Sequence, residues 1–292
     1  MMDQENLATD AASVRSGSGT LSLLREELGA TLEMHLARGH DGTWIRWLES
    51  GSGTPLVVSS PVGLPFELWV PLVRRLQTQY RIIFMQRRGL WGSAIPADPA
   101  QLGVDAHARD LARVIDERGT HDFLALAFCS GALPLMRCFD FTAHRPRRLC
   151  LMSGRFCVGD PVPAQALYDY VGDDPVRRND LIKLMAEYAP EAVRDDLERE
   201  LGKPGQLLAQ LHAVEDSRRS DGAYPLPPDM RVTFVYGECD DELIKQSTLE
   251  YVRQGKEQPW NLIEIPNGSH FYLHEDPTNT ARVILDAFAC AE

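Results

Sequence analysis

The sequence predicts an α/β protein with a mostly parallel central sheet flanked by helices and a helical cap inserted late in the chain. Three observations lead there. Short apolar runs alternate with helical stretches from about Thr54 to Leu151, the rhythm of consecutive βαβ units. One apolar run, Phe123 to Phe128, passes into the helical pattern Ala132 to Phe139 through only Cys129-Ser130-Gly131. Two further runs, Val232–Tyr236 and Leu262–Ile265, supply late strands after a strand-poor interval. A chain of 292 residues is long enough to bury the core of such a sheet.

The elements follow in order. Residues 1–20 are rich in Ser, Gly, Asp and Ala and are expected to form a disordered tail. Leu21 to Leu28 has the apolar spacing of a short amphipathic helix. Thr31–Ala37 and Thr43–Leu48 alternate in character around Gly39-His-Asp-Gly42 and read as an antiparallel hairpin. Residues 21–154 and 229–292 make up the expected catalytic core. Residues 155–228 break the strand rhythm. This segment is acidic, helical in character and punctuated by prolines, among them Pro161, Pro175, Pro190, Pro204 and Pro225. It is expected to be a helical cap, because long insertions outside a core usually carry function. Tyr168, Tyr170 and Met185 are its candidate substrate contacts; core packing of the cap would explain the same residues.

Composition narrows the class. The chain carries 42 acidic against 30 basic side chains, which opposes a nucleic-acid footprint and an anionic membrane surface. No apolar run approaches transmembrane length. The start, Met1-Met-Asp-Gln-Glu, lacks a signal-peptide pattern. The six cysteines show no metal-type spacing and fit reduced thiols in a cytoplasmic enzyme without metal or cofactor.

Ala127-Phe-Cys-Ser-Gly131 has the form small-x-nucleophile-x-small between strand and helix, the setting of a nucleophile elbow. Taken alone, the pentapeptide also fits a plain strand-to-helix turn with a buried cysteine. The later order adds information. Gly237-Glu-Cys-Asp240-Asp241 and Pro266-Asn-Gly-Ser-His270 each follow a strand-like run, so nucleophile, acid and histidine occur in that order, each at a strand end.

With these residues, the chain from about Glu33 to its C-terminus resembles the α/β-hydrolase family. Thr54 to Gly63 is similar to that family's strand and oxyanion loop, with Ser60-Pro61 in place of the usual His-Gly. Tyr80 to Ser93 resembles the family's Asp-x-Arg-Gly-x-Gly-x-Ser segment, with Gln86 at the Asp position. Gly268 to Pro277 resembles its histidine loop. The resemblance implies Cys129 as nucleophile, His270 as base and Asp240 as the acid that orients it, Asp241 being the adjacent alternative. It also implies an oxyanion hole from the N–H groups of Val62 and Ser130, since Pro61 has none. Phe66 and Trp91 are expected on loops walling the pocket.

Cysteine at the nucleophile position bears on the reaction. A thioester acyl-enzyme outlives attack by water relative to attack by amines or thiols, and a thiolate exchanges acyl groups with a thioester at little cost. The expected activity is therefore hydrolysis or acyl transfer on an acyl thioester or activated ester. The expected partner is a small acyl substrate, free or carried on coenzyme A or a carrier protein. Within the family, cysteine at this position resembles dienelactone hydrolases, polyester synthases and some assembly-line thioesterase domains. Two other readings remain open: a hydrolase of small esters, lactones or carbon–carbon bonds, and a catalytically silent ligand-binding protein on the same fold.

Overall fold

The computed structural model describes residues 24–29, 31–64, 66–90, 92–118, 121–154, 156, 183, 225–227, 229–255 and 257–289. The expected tail, most of the expected cap with Tyr168, Tyr170 and Met185, and Trp91 lie outside the described residues.

Eight strands form one sheet in the order β1-β2-β4-β3-β5-β6-β7-β8. They are β1 (Glu33–Arg38), β2 (Trp44–Ser50), β3 (Thr54–Ser59), β4 (Tyr80–Met85), β5 (Leu124–Phe128), β6 (Arg148–Met152), β7 (Val232–Gly237) and β8 (Trp260–Ile265). β1 and β2 are the antiparallel hairpin read from the sequence, and β2 runs antiparallel to β4. Every pair from β4 through β8 is parallel. The continuous apolar runs lie in the middle: all five residues of β5 are buried, as expected for a strand covered on both faces.

Helices cover both faces. On one, α1 (Phe66–Leu76) and the C-terminal α6 (Pro277–Ala289) pack with a helical turn at residues 24–28 against Leu56, Val58, Phe84, Leu126 and Phe128. On the other, α2 (Val104–Glu117), α3 (Ala132–Cys138) and Tyr251 of α4 (Glu242–Gln254) pack against Val57, Ile83, Ala125, Ala127 and Phe234. Neighbouring residues within the central strands divide between the two clusters, following the two-residue period of a strand. Each large apolar side chain so buried contributes roughly 1.5–3 kcal/mol. The short α5 (Tyr272–Glu275) precedes α6.

The parallel strands all point their carboxyl ends to one edge, where a doubly covered sheet offers loops for a site. The hairpin turn is fastened beside that edge. Its Asp41 reaches Arg88, just past β4, through contacts of 2.6 and 3.0 Å, and Asp110 of α2 grips the same guanidinium. Gly39 fits here because a Cβ would stand 2.5 Å from Arg88 and 2.7 Å from Asp110.

Candidate active site

The elbow is built by backbone strain and close packing. Cys129 has φ 49°, a left-handed conformation that a non-glycine residue occupies only when its surroundings enforce it. Enforcement comes from Gly131, where a Cβ would lie 2.3 Å from the Ser59 carbonyl oxygen. The Ser59 hydroxyl also donates to the Gly131 carbonyl at 2.8 Å. The Cys-Ser-Gly segment is a 3₁₀ turn running directly into α3, and Pro134 sits in the first turn of that helix, where no N–H is needed.

The acid and histidine loops clasp each other across β7 and β8. Gly237 tolerates no side chain, since a Cβ would be 2.2 Å from the Gly268 carbonyl oxygen. The Cys239 N–H donates to that carbonyl at 2.8 Å, and the Asn267 N–H donates to the Glu238 carboxylate at 2.8 Å. These bonds bring His270 over the elbow, its ring 5.2 Å from that of Phe128.

The His270 Nδ1–H donates to Asp240 Oδ1 at 2.9 Å, which leaves Nε2 as the acceptor on the other side of the ring. Asp240 is buried and held from further directions. The Asp241 N–H donates to Oδ1 at 2.8 Å, the Ser153 hydroxyl donates to Oδ2 at 2.5 Å, and the Tyr272 hydroxyl stands 3.1 Å behind Ser153. The side chain of Asp241 is engaged elsewhere. It caps the N-terminus of α4, accepting from the Leu243 N–H at 2.9 Å.

His270 stands close enough to the Cys129 thiol for the protonation of the two groups to be linked. Burial pushes the thiol up, but the His270 imidazolium, a hydrogen bond to it and the Ser130 N–H outweigh burial and bring it below its ordinary value. Burial pushes the imidazole down, but the Cys129 thiolate and the Asp240 carboxylate raise it above its ordinary value. Two other cysteines show the opposite behaviour: burial pushes Cys150 up to about 12 and Cys138 further. The arrangement supports a thiolate–imidazolium pair at the end of β5.

The oxyanion loop differs in detail from the sequence expectation. The Ser130 N–H faces the sulfur, as expected of the residue after a nucleophile. The Val62 N–H reaches the elbow but donates to the Ser130 hydroxyl at 2.9 Å, so it is occupied. Gly63, at φ 80°, gives the loop its turn. Phe66 departs from the expected pocket wall. It opens α1 instead of lying on a loop, is fully buried, and sets its ring edge-on to Phe84 at 5.2 Å. Its position after Pro65 fits a loop as well as a helix start in the sequence.

Sequence reading passed over Ser153 and Tyr272. Ser153 follows β6 at φ 48° and turns its hydroxyl onto Asp240 from a loop that holds no carboxylate. The signal was a polar residue directly after an apolar strand. Only the fold brings that strand end beside β7.

Comparison with known proteins agrees with this architecture. The model of the Alpha/beta hydrolase family matches residues 51–283. A relative from Azorhizobium caulinodans, provisionally named a carbamate hydrolase, is 27% identical over 104 residues, or 36% of this chain. The match spans 38% of that relative's length. Among solved structures, an epoxide hydrolase from Vigna radiata superposes with a TM-score of 0.70 at 14% identity, covering 88% of this chain and 98% of its own. An esterase from a Rhodococcus species superposes with a TM-score of 0.69 at 18% identity, covering 88% and 99%. These likenesses are to the fold.

Proposed function

We propose, on the premise that this chain belongs to the alpha/beta hydrolase family, that it acts on an acyl thioester or activated ester through an acyl-enzyme on Cys129. The observation that carries the reading is the hydrogen bond from His270 to Asp240 beside the elbow, combined with a Cys129 thiol whose proton His270 makes easier to remove than usual.

In the first half-reaction His270 Nε2 holds the proton of Cys129 and the thiolate attacks the acyl carbonyl carbon, forming a C–S bond. The carbonyl electron pair moves onto oxygen, which faces the Ser130 N–H. The Val62 N–H joins it once the oxyanion displaces the Ser130 hydroxyl. Collapse of this intermediate breaks the bond to the leaving thiol or alcohol, which departs with the proton from His270. In the second half-reaction His270 takes a proton from water or another acceptor. That acceptor attacks the thioester, and the Cys129 sulfur leaves and regains its partnership with His270. Asp240 keeps the imidazole in the required tautomer throughout.

A silent binding protein has no use for a strained cysteine, a buried carboxylate and an imidazole held in register. The alternative of plain ester, lactone or carbon–carbon bond hydrolysis shares the same elbow but gives no role to sulfur. The intact mass of the protein after incubation with a panel of acyl thioesters and matched oxygen esters tests the reading. A mass increase of one acyl group from the thioesters, absent in Cys129→Ala, is expected. Turnover retained by Cys129→Ala would refute it.

A further inference from the structure

Arg87 lies at the end of β4, two residues past Met85, and only 2% of its surface is exposed. Its Nη1 and Nη2 atoms are buried and meet no hydrogen-bond partner among the described residues. Several other buried or half-buried arginines differ. Arg46 pairs with Glu67, Arg81 and Arg118 with Glu49, and Arg88 with Asp41 and Asp110. The neighbouring Gln86 amide is likewise buried, its nitrogen and oxygen unpartnered among the described residues. A buried guanidinium without an anion is strongly unfavourable, and a protein that keeps one leaves a demand for negative charge.

The sheet register places this demand beside the nucleophile. Ser59 of β3 pairs with Met85 on one side and with Ala127 on the other. Met85 and Ala127 are thus two strand spacings or about 10 Å apart at the backbone, and Arg87 and Cys129 each follow two residues beyond them on the same edge. An arginine side chain spans much of that gap. Burial pushes the guanidinium down to about 9, while the Cys129 thiolate pulls it back up, so the two groups sense each other. The thiolate alone does not meet the demand through the reaction. Once Cys129 is acylated its charge is gone, and among the described residues Arg87 is left uncompensated unless the acyl group brings a charge of its own.

We propose that Arg87 binds a carboxylate carried on the acyl group, making the substrate a half-acid acyl thioester or ester whose free carboxylate lies a few bonds from the reacting carbonyl. This rests on the acyl-enzyme reading of Cys129. The phosphates of coenzyme A or a carrier arm are not the anion meant here, because an extended pantetheine arm holds them farther from the acyl carbon than Arg87 stands from Cys129. The clamp of Asp41 and Asp110 on Arg88 fixes the backbone next to Arg87, so the anion site is set before substrate arrives.

Phosphate-free N-acetylcysteamine thioesters with glutaryl and pentanoyl groups differ only in a terminal carboxylate against a methyl. With the full chain and intact mass as readout, Cys129 is expected to acylate with glutaryl about tenfold faster or more, the range of one charge-assisted contact. Arg87→Gln is expected to bring the ratio near one, and Arg87→Lys to retain part of it. Equal rates in the unaltered protein, or a glutaryl preference surviving in Arg87→Gln, would overturn the proposal. Alkylation gives a measurement that does not depend on the acyl-enzyme or on a variant that folds. Compared with free cysteine, the unaltered protein is expected to favour iodoacetate over iodoacetamide. If Arg87→Gln instead slows both reagents equally and raises the pH at which Cys129 reacts, Arg87 is a partner of the thiolate only and the carboxylate site is refuted. Preference for iodoacetate with acylation by neither thioester would keep the anion site and remove the acyl-enzyme.

Discussion

Cys129 and Asp240 show how single residues acquire their chemistry from neighbours distant in sequence. The thiol is lowered because the imidazolium of His270 outweighs burial, so its thiolate persists as pH falls below the ordinary thiol range and is lost only when pH falls through the depressed value. The rate of iodoacetamide labelling at Cys129 is therefore expected to hold its plateau down to a lower pH than a free thiol. In His270→Ala the curve should move up towards the ordinary thiol range or beyond, because burial is then opposed only by the Ser130 N–H. An unchanged curve would show that His270 does not set the charge. The two adjacent carboxylates separate in the same way. Asp240→Asn removes the acceptor of the His270 Nδ1–H and should cost activity on the order of a hundredfold or more. Asp241→Ala removes a helix N-cap and should cost about 1 kcal/mol of stability with activity retained. Urea titration and turnover measured on both variants distinguish them, and the reverse pattern would transfer the role to Asp241. The family resemblance pointed to Asp240 with Asp241 as the adjacent alternative; the separate duty of Asp241 as a helix cap emerges only in the structure.

The elements around the site depend on ties that short-range pattern does not reveal. The loop after β4 is held by Arg88, whose guanidinium is fully buried between Asp41 of the hairpin turn and Asp110 of α2. Burial pushes Asp41 up, but its bonds from Arg88 and Thr43 outweigh that and lower it to about 2. Arg88→Met strands the buried Asp110 carboxylate, and breaking such a pair on one side costs about 3–5 kcal/mol. The urea midpoint of Arg88→Met is expected to fall accordingly, with Arg88→Lys only partly restoring it, since an ammonium cannot reproduce the two-sided fork. A midpoint close to that of the unaltered protein would mean the cluster contributes little. The strands and the hairpin were legible from alternation and apolar runs, because those patterns follow from burial on one or two faces. The start of α1 at Phe66 was less so, because an aromatic residue after a Pro-rich loop fits a loop or a helix equally until Phe84 is placed beneath it. Ser153 and Arg87 were illegible as site residues for a related reason. Ser153 lies just past β6, whose neighbour β7 follows only after a long interval of sequence, and Arg87 lies past β4, which β3 separates from the β5 strand that leads to Cys129.

Across the whole molecule, the proposed triad is assembled from strands of unequal depth. Cys129 follows β5, which is hydrogen-bonded on both sides and wholly buried. Asp240 follows β7, next to the edge, and His270 follows β8, the edge strand itself, where Asn261, Leu262 and Glu264 are exposed. β8 is held by one neighbouring strand and by the stacking of Trp260 on Tyr251 of α4, with ring centroids 5.5 Å apart. Fewer buried contacts and a solvent-facing ladder mean a lower free energy of local opening. The amides of Trp260–Ile265 are expected to exchange with solvent through such openings, while those of Leu124–Phe128 exchange only with global unfolding. When β8 opens, the Gly268 carbonyl leaves Cys239 and His270 leaves the elbow, so the thiol loses the charge that lowers it while β5 remains folded. Rising urea should therefore abolish the rapid labelling of Cys129 at neutral pH before it abolishes the protection of β5. Native-state hydrogen exchange read alongside iodoacetamide labelling along one urea series tests the order. If both signals were lost together, with β8 protected as strongly as β5, the sheet would open as a single unit and the histidine would be as firmly held as the cysteine.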